Sequence, residues 1–117
     1  MSYLPSKRGG TKMLNSNSMR GFLTRDAELK HANSGTAILS FSIANESWFG
    51  EKYTSFFECT AFGKRAESVA NYMTKGTAVV IQGKLKQDRW EKDGQNRSKV
   101  VIIVDDIDPA TEGGDQR

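Results

Sequence analysis

Two tryptophans in this chain stand where a hydrophobic core has little use for them. Trp48 lies between Glu46 and Lys52, and Trp90 is surrounded by Arg89, Glu91 and Lys92. Phe56 and Phe62 share one parity of a strand-like run with Thr54, Glu58 and Thr60, a polar setting for two rings. Four exposed rings of this kind would offer platforms on which unpaired bases lie. Each stack contributes roughly 1–3 kcal/mol and tolerates any sequence, because every base has a π-face. The competing reading makes one or two of the rings caps of a barrel or subunit contacts. It is weakest for Trp48 and Trp90, whose neighbours are charged.

Cations accompany the rings. Lys84, Lys86 and Arg89 follow one another along a strand and its continuation, with Lys92, Arg97 and Lys99 across the next turn. A spacing of two aligns Lys84 and Lys86 on one face, away from Leu85. Such a row can track a phosphate backbone, and the counterions it releases make binding weaken with salt. Asp88, Glu91 and Asp93 leave an ordinary solvated strand as the alternative; the interleaved aromatics favour single strands. Charge over the whole chain agrees. Residues 1–104 hold 16 Lys and Arg against 9 Asp and Glu, a net of +7, whereas residues 105–117 hold 1 against 5, a net of −4. A basic body with an acidic end suits an anionic partner such as nucleic acid.

Other chemistries find little support. Cys59 is the only cysteine and His31 the only histidine, which excludes an intramolecular disulfide and a thiol-rich metal site. Asp105, Asp106 and Asp108 resemble a carboxylate cluster able to hold Mg²⁺ for a nuclease. They lie at the end of the last strand and lack a partner acid in a recognisable pattern, so a nuclease is disfavoured. No phosphate-loop glycine motif and no nucleophile–histidine arrangement occurs. The expectation is therefore no catalytic residue, no metal and no cofactor. No run approaches the roughly 20 apolar residues of a membrane-spanning helix, and the first residues lack the apolar centre of a secretory signal.

The elements that must position these residues read as follows. Strands are expected over 17–24, 37–45, 53–62, 77–87 and 99–104, with turns at Asn33-Ser34-Gly35, Gly50 and Asp93-Gly94. In the second strand Leu39, Phe41 and Ile43 point to one face. The unbroken apolar run Val100–Val104 implies burial on both faces. Between the third and fourth strands the period changes: Ala66, Val69, Ala70 and Met73 form the stripe of an amphipathic helix over 63–75, ended by Gly76. Three strands, a helix and two strands make an all-β fold with one helix, a five-stranded Greek-key OB barrel with its helix between strands 3 and 4. The expected organisation is a mobile basic arm over 1–15, the barrel domain over 16–106 and a short disordered acidic tail over 107–117.

Six segments in order, "GFLTRDAEL" (Gly21–Leu29), "SGTAILSFSIA" (Ser34–Ala44), "ESW" (Glu46–Trp48), "AFGKRAE" (Ala61–Glu67), "YMTKGTAVVIQGKL" (Tyr72–Leu85) and "RWEKDGQNRS" (Arg89–Ser98), resemble the bacterial single-stranded-DNA-binding proteins. The resemblance covers about 17–106. It implies an OB subunit that usually assembles into a homotetramer wrapped by single-stranded DNA, serving replication, recombination and repair in the bacterial cytoplasm and nucleoid. Trp48, Phe56, Phe62 and Trp90 match the positions where that family stacks bases, with Phe56 a conservative exception to the usual tryptophan. Lys64, Lys75, Lys86 and Arg89 match positions that are usually basic and phosphate-facing. Two departures stand out. The connection "WFGEKYTSF" (Trp48–Phe56) is several residues shorter than usual, and the family's acidic tip that recruits replication and repair enzymes is absent from "DDIDPATEGGDQR" (Asp105–Arg117). The rivals are a primosome-type accessory dimer, whose relatives lack the full "FGKRAE" and "RWEKDGQ" marks, and an OB module serving purely as a protein-interaction domain.

Overall fold

In the computed structural model, residues 13–109 are described; the expectations for 1–12 and 110–117 lie outside them. The described chain forms six strands: β1 (Asn17–Leu23), β2 (Glu28–His31), β3 (Ala37–Phe49), β4 (Glu51–Phe62), β5 (Ala78–Lys92) and β6 (Gln95–Pro109). A short helix, α1 (Gly63–Val69), and a 3-10 turn (Ala70–Tyr72) separate β4 from β5. Strands follow one another in the order β1-β5-β6-β4-β3, and the ring closes because β1 pairs with both β5 and β3. β1 runs beside β5 from Asn17 to Phe22, then meets β3 at Phe22↔Ala44 and Leu23↔Ile43. Closure is local: β1 meets β3 only at Phe22 and Leu23, so Asn17–Gly21 are paired on the β5 side alone. The pair β4–β6 is parallel over Glu58–Ala61, and the rest are antiparallel. This is the expected OB barrel with its helix before the fourth barrel strand.

Alternation sorts the side chains. Leu39, Phe41 and Ile43 of β3, Cys59 and Ala61 of β4, Val79 and Ile81 of β5, and Ile102, Val104 and Ile107 of β6 point inward and are buried. Ala66, Val69 and Met73 close one end of the barrel, as their helical spacing anticipates. Arg65 Nη2 donates to the Ile107 carbonyl at 2.6 Å and ties α1 to β6. Burial of Cys59, with the Glu58 carboxylate nearby, pushes its thiol up to about 12, so the sulfur is protonated and unreactive.

Several boundaries differ from the sequence reading. β2 was not anticipated: all four of its residues are exposed and show no alternation, because it only lines the edge of β3 through Glu28↔Ser40 to His31↔Ala37. The α-helix ends at Val69 rather than Lys75. Met73 must reach the core while its carbonyl accepts the Ala27 N–H at 2.9 Å, so the chain tightens into the 3-10 turn. Gly76 does adopt a left-handed φ of 88°, but its N–H donates to Leu23 O at 2.8 Å and forms the turn into β5. The last two strands pair as one long hairpin from Lys92↔Gln95 to Val79↔Pro109. Its turn, Asp93-Gly94, has φ of 54° and 77°, the left-handed pair that a tight two-residue hairpin requires.

The barrel boundary at 106 is therefore corrected: Ile107 and Pro109 are buried strand residues, and the acidic character of Asp105, Asp106 and Asp108 concealed the alternation around them. At the other end, the side chain of Asn15, before β1, is tied to β5. Its Nδ2 donates to Leu85 O at 2.8 Å and its Oδ1 accepts from Leu85 N at 3.0 Å. Within the run Val100–Val104, Ile102 and Val104 face inward, Val101 and Ile103 are covered on the outside, and Val100 is exposed. The register of β5 and β6 shifts at Gln82/Gly83, leaving Asp105 as the extra residue of a bulge. A Cβ on Gly83 would collide with the Ile103 carbonyl oxygen there, so only glycine fits this approach.

Candidate nucleic-acid interface

Because partners in a ladder point to the same side, the register shows which side chains share the outer face. On β4 these are Phe56, Glu58, Thr60 and Phe62; on β3 they are Ala44 opposite Phe56, Ser42 opposite Glu58, and Trp48 opposite Lys52. The face crosses to β6 through Glu58↔Val101 and Thr60↔Ile103, and to β5 through Lys84↔Ile103, Lys86↔Val101, Asp88↔Lys99 and Trp90↔Arg97. All four rings named from the sequence therefore lie on one continuous outer surface. They are also open to solvent: Trp48 is 71% exposed, Phe56 67%, Phe62 49% and Trp90 43%. A ring this exposed contributes little to the core, and the polar neighbours seen in the sequence are its companions on the sheet surface.

The cations divide. Lys84 and Lys86 share the outer face with Trp90, as their spacing requires, but each meets a carboxylate. Lys86 Nζ lies 2.6 Å from Asp88 Oδ1, and Lys84 Nζ lies 3.7 Å from Asp105 Oδ2. Arg89 falls on the opposite face by alternation, and its guanidinium donates to Gln87 Oε1 at 3.2 and 2.9 Å. A concavity of about 500 Å³ at the hairpin is lined by Gln87, Arg89, Asn96 and Ser98 of that face and, from the other, by Trp90 and Arg97. Arg89 thus borders the same hollow as Trp90. Lys64 is exposed on the first turn of α1, two residues after Phe62. Lys75 sits at the turn into β5, its backbone N–H donating to Asp26 Oδ1 at 2.8 Å. The sheet register places neither of these two lysines on the ring-bearing face.

Three further cations reach this face. Arg97 is directly opposite Trp90, and Lys99 is opposite Asp88; among the described residues neither has an ion-pair partner. Arg25, part of a polar connection in the sequence, lies 3.6 Å from Glu58 and offsets the one carboxylate set between Phe56 and Phe62. No strand spacing marks it in the sequence, since β1 ends at Leu23; the Thr24 N–H bond to Ser42 O at 3.0 Å turns the chain onto β3.

As for other chemistry, among the described residues no group of three His, Cys, Asp or Glu side chains is gathered as a metal site needs. Asp106 and Asp108 are spread along β6 opposite Gln82 and Val80, while Asp105 is engaged with Lys84. Among the described residues no helix is long and apolar enough to cross a membrane.

Comparison with known proteins places the chain in a family. A single-stranded DNA-binding protein of Borreliella burgdorferi is 42% identical over 109 residues, covering 86% of this chain and 72% of that protein. One from Treponema pallidum is 39% identical over 94 residues, covering 74% and 52%. The crystal structure of a deletion mutant of the single-stranded DNA binding protein from Thermus aquaticus superimposes with a TM-score of 0.70 at 28% identity, covering 82% of this chain and 50% of that chain. This chain thus spans between 50% and 72% of the length of these relatives. The family described as single-strand binding protein matches residues 14–110, and the chain belongs to that family.

Proposed function

We propose that this protein binds single-stranded DNA without sequence preference, stacking unpaired bases on Trp48, Phe56, Phe62 and Trp90. Arg97, Lys99, Lys84, Lys86 and Arg89 supply countercharge to the backbone, with Lys64 and Lys75 at its approaches. The observation that carries the reading is the single outer surface that four exposed rings share with Lys84, Lys86, Arg97 and Lys99, with Arg89 bordering the hollow beside Trp90. Base stacking gives affinity without reading a sequence, and phosphate contacts hold the strand in place. No bond is made or broken, and the contacts call for no cofactor. The subunit works as a homo-oligomer, a tetramer by analogy with the family, that coats DNA exposed in the bacterial cytoplasm during replication, recombination and repair. Such a coat holds strands apart and shields them from nucleases.

Titrating dT oligonucleotides against intrinsic tryptophan fluorescence tests this, because Trp48 and Trp90 are both reporters and ligands. Strong quenching that weakens steeply with added salt is expected. Unchanged fluorescence at saturating oligonucleotide would reject the proposal. Solution mass with and without dT oligonucleotide checks the assembly in the same samples, and a dimer that ignores DNA would favour the accessory-protein alternative.

A further inference from the structure

β1 carries a ring and a cation that the outer surface continues into. Phe22 is 43% exposed on the outside of the barrel, and the Arg20 guanidinium carbon stands 5.5 Å from its ring centroid. Through the ladder Phe22 faces Ala44, and Ala44 faces Phe56. Two strand spacings, roughly 10 Å, thus separate the Phe22 and Phe56 backbones on one line across the sheet. The methyl group of Ala44 between them leaves a hollow of about 260 Å³ lined by Arg20, Gly21, Phe22, Ala44, Asn45 and Glu46.

The hollow is shaped from beneath and charged from one side. Asn45 Nδ2 donates to Arg20 O at 2.8 Å, and Ser47 Oγ donates to Asn45 Oδ1 at 2.9 Å, which fixes the amide as part of the floor. The Glu46 carboxylate is engaged with Lys52 at 3.8 Å. Among the described residues the Arg20 guanidinium has neither an ion pair nor a hydrogen bond, and it stands over the Phe22 ring. A cation held over an aromatic face, with its donors unused, matches a nucleotide: ring for base, guanidinium for phosphate.

We infer that Arg20 and Phe22 form a fifth nucleotide subsite, in which an unpaired base stacks on Phe22 and its phosphate is met by Arg20, extending the DNA path from β4 across β3 onto β1. The inference rests on the single-stranded-DNA reading above and adds to it a direction of travel away from the Asp93-Gly94 tip of the β5–β6 hairpin. Neither residue lies in the core, so both can be replaced without emptying the barrel.

The test compares wild type, Phe22→Ala and Arg20→Met on a ladder of dT lengths, with solution mass recorded for each. Phe22→Ala is expected to leave the shortest bound oligonucleotides unaffected and to weaken longer ones roughly 5- to 100-fold, as the loss of one stack requires. Arg20→Met should flatten the salt dependence by about 0.7 in slope, one single-strand phosphate contact. Binding equal to wild type at every length in both variants would overturn the subsite while leaving the function intact. So would an affinity loss that follows a fall in solution mass, which assigns Phe22 to a subunit contact. If wild type itself binds no oligonucleotide, the functional reading and the subsite both fall.

Discussion

Phe41 and Phe56 are the same residue type on neighbouring strands of one hairpin, and their environments are opposite: Phe41 is 0% exposed and Phe56 67%. Truncating each to alanine separates fold from function. Removing Phe41 empties the centre of the barrel and should cost about 3–5 kcal/mol of stability. Phe56 keeps only a third of its surface covered. With an aromatic side chain worth roughly 200 Å² and about 25 cal/mol per Å², truncation forfeits about 1–2 kcal/mol of folding energy. Loss of a base stack removes about 1–3 kcal/mol of binding, or 5- to 100-fold in Kd. Urea denaturation followed by circular dichroism measures the first quantity, and quenching of Trp48 and Trp90 by dT oligonucleotide measures the second. Phe56→Ala should fold cooperatively and bind weakly. The reasoning is refuted if Phe56→Ala destabilises the protein as much as Phe41→Ala, or if it binds with wild-type affinity.

Three other outcomes are expected. Because Asp88 engages Lys86 and Asp105 engages Lys84, both exposed pairs, replacing Asp88 and Asp105 with Asn should release the lysines and tighten oligonucleotide binding by up to about fivefold per site; Lys86→Ala should reduce the salt slope by about 0.7. Gly83→Ala forces a methyl group into the Ile103 carbonyl at the bulge, which should lower stability by about 1–3 kcal/mol in thermal or urea melts without touching a binding residue. Cys59 should resist thiol reagents in the native state and react on unfolding. Burial pushes its thiol from the ordinary 9.0 up to about 12, so the unfolded state releases the proton first, and stability should fall as pH rises from about 9 to 12, at most about 1.4 kcal/mol per unit.

The face that each candidate residue takes is legible in the sequence. Period-two alternation fixes which residues of a strand share a face, so Lys84 and Lys86 had to lie together, as did Phe56 and Phe62. Charged neighbours kept Trp48 and Trp90 out of the core for the same local reason, and the helical stripe Ala66–Val69–Met73 announced the plug of the barrel. Alternation cannot say which strand lies beside which. The two-residue turn at Asp93-Gly94 sets Trp90 opposite Arg97 locally, whereas only tertiary contact carries Arg25 to Glu58, since that pair joins segments far apart in the chain. Pairing also overrode composition: β2 exists because the edge of β3 was available to Glu28–His31, and β6 continues past Asp105 because Ile107 and Pro109 find places in the core beside Ile81 and Val79. Local spacing thus decided which face each residue takes within its own strand; long-range hydrogen bonding decided which faces merge into one surface, because register is a property of two strands and neither encodes it alone.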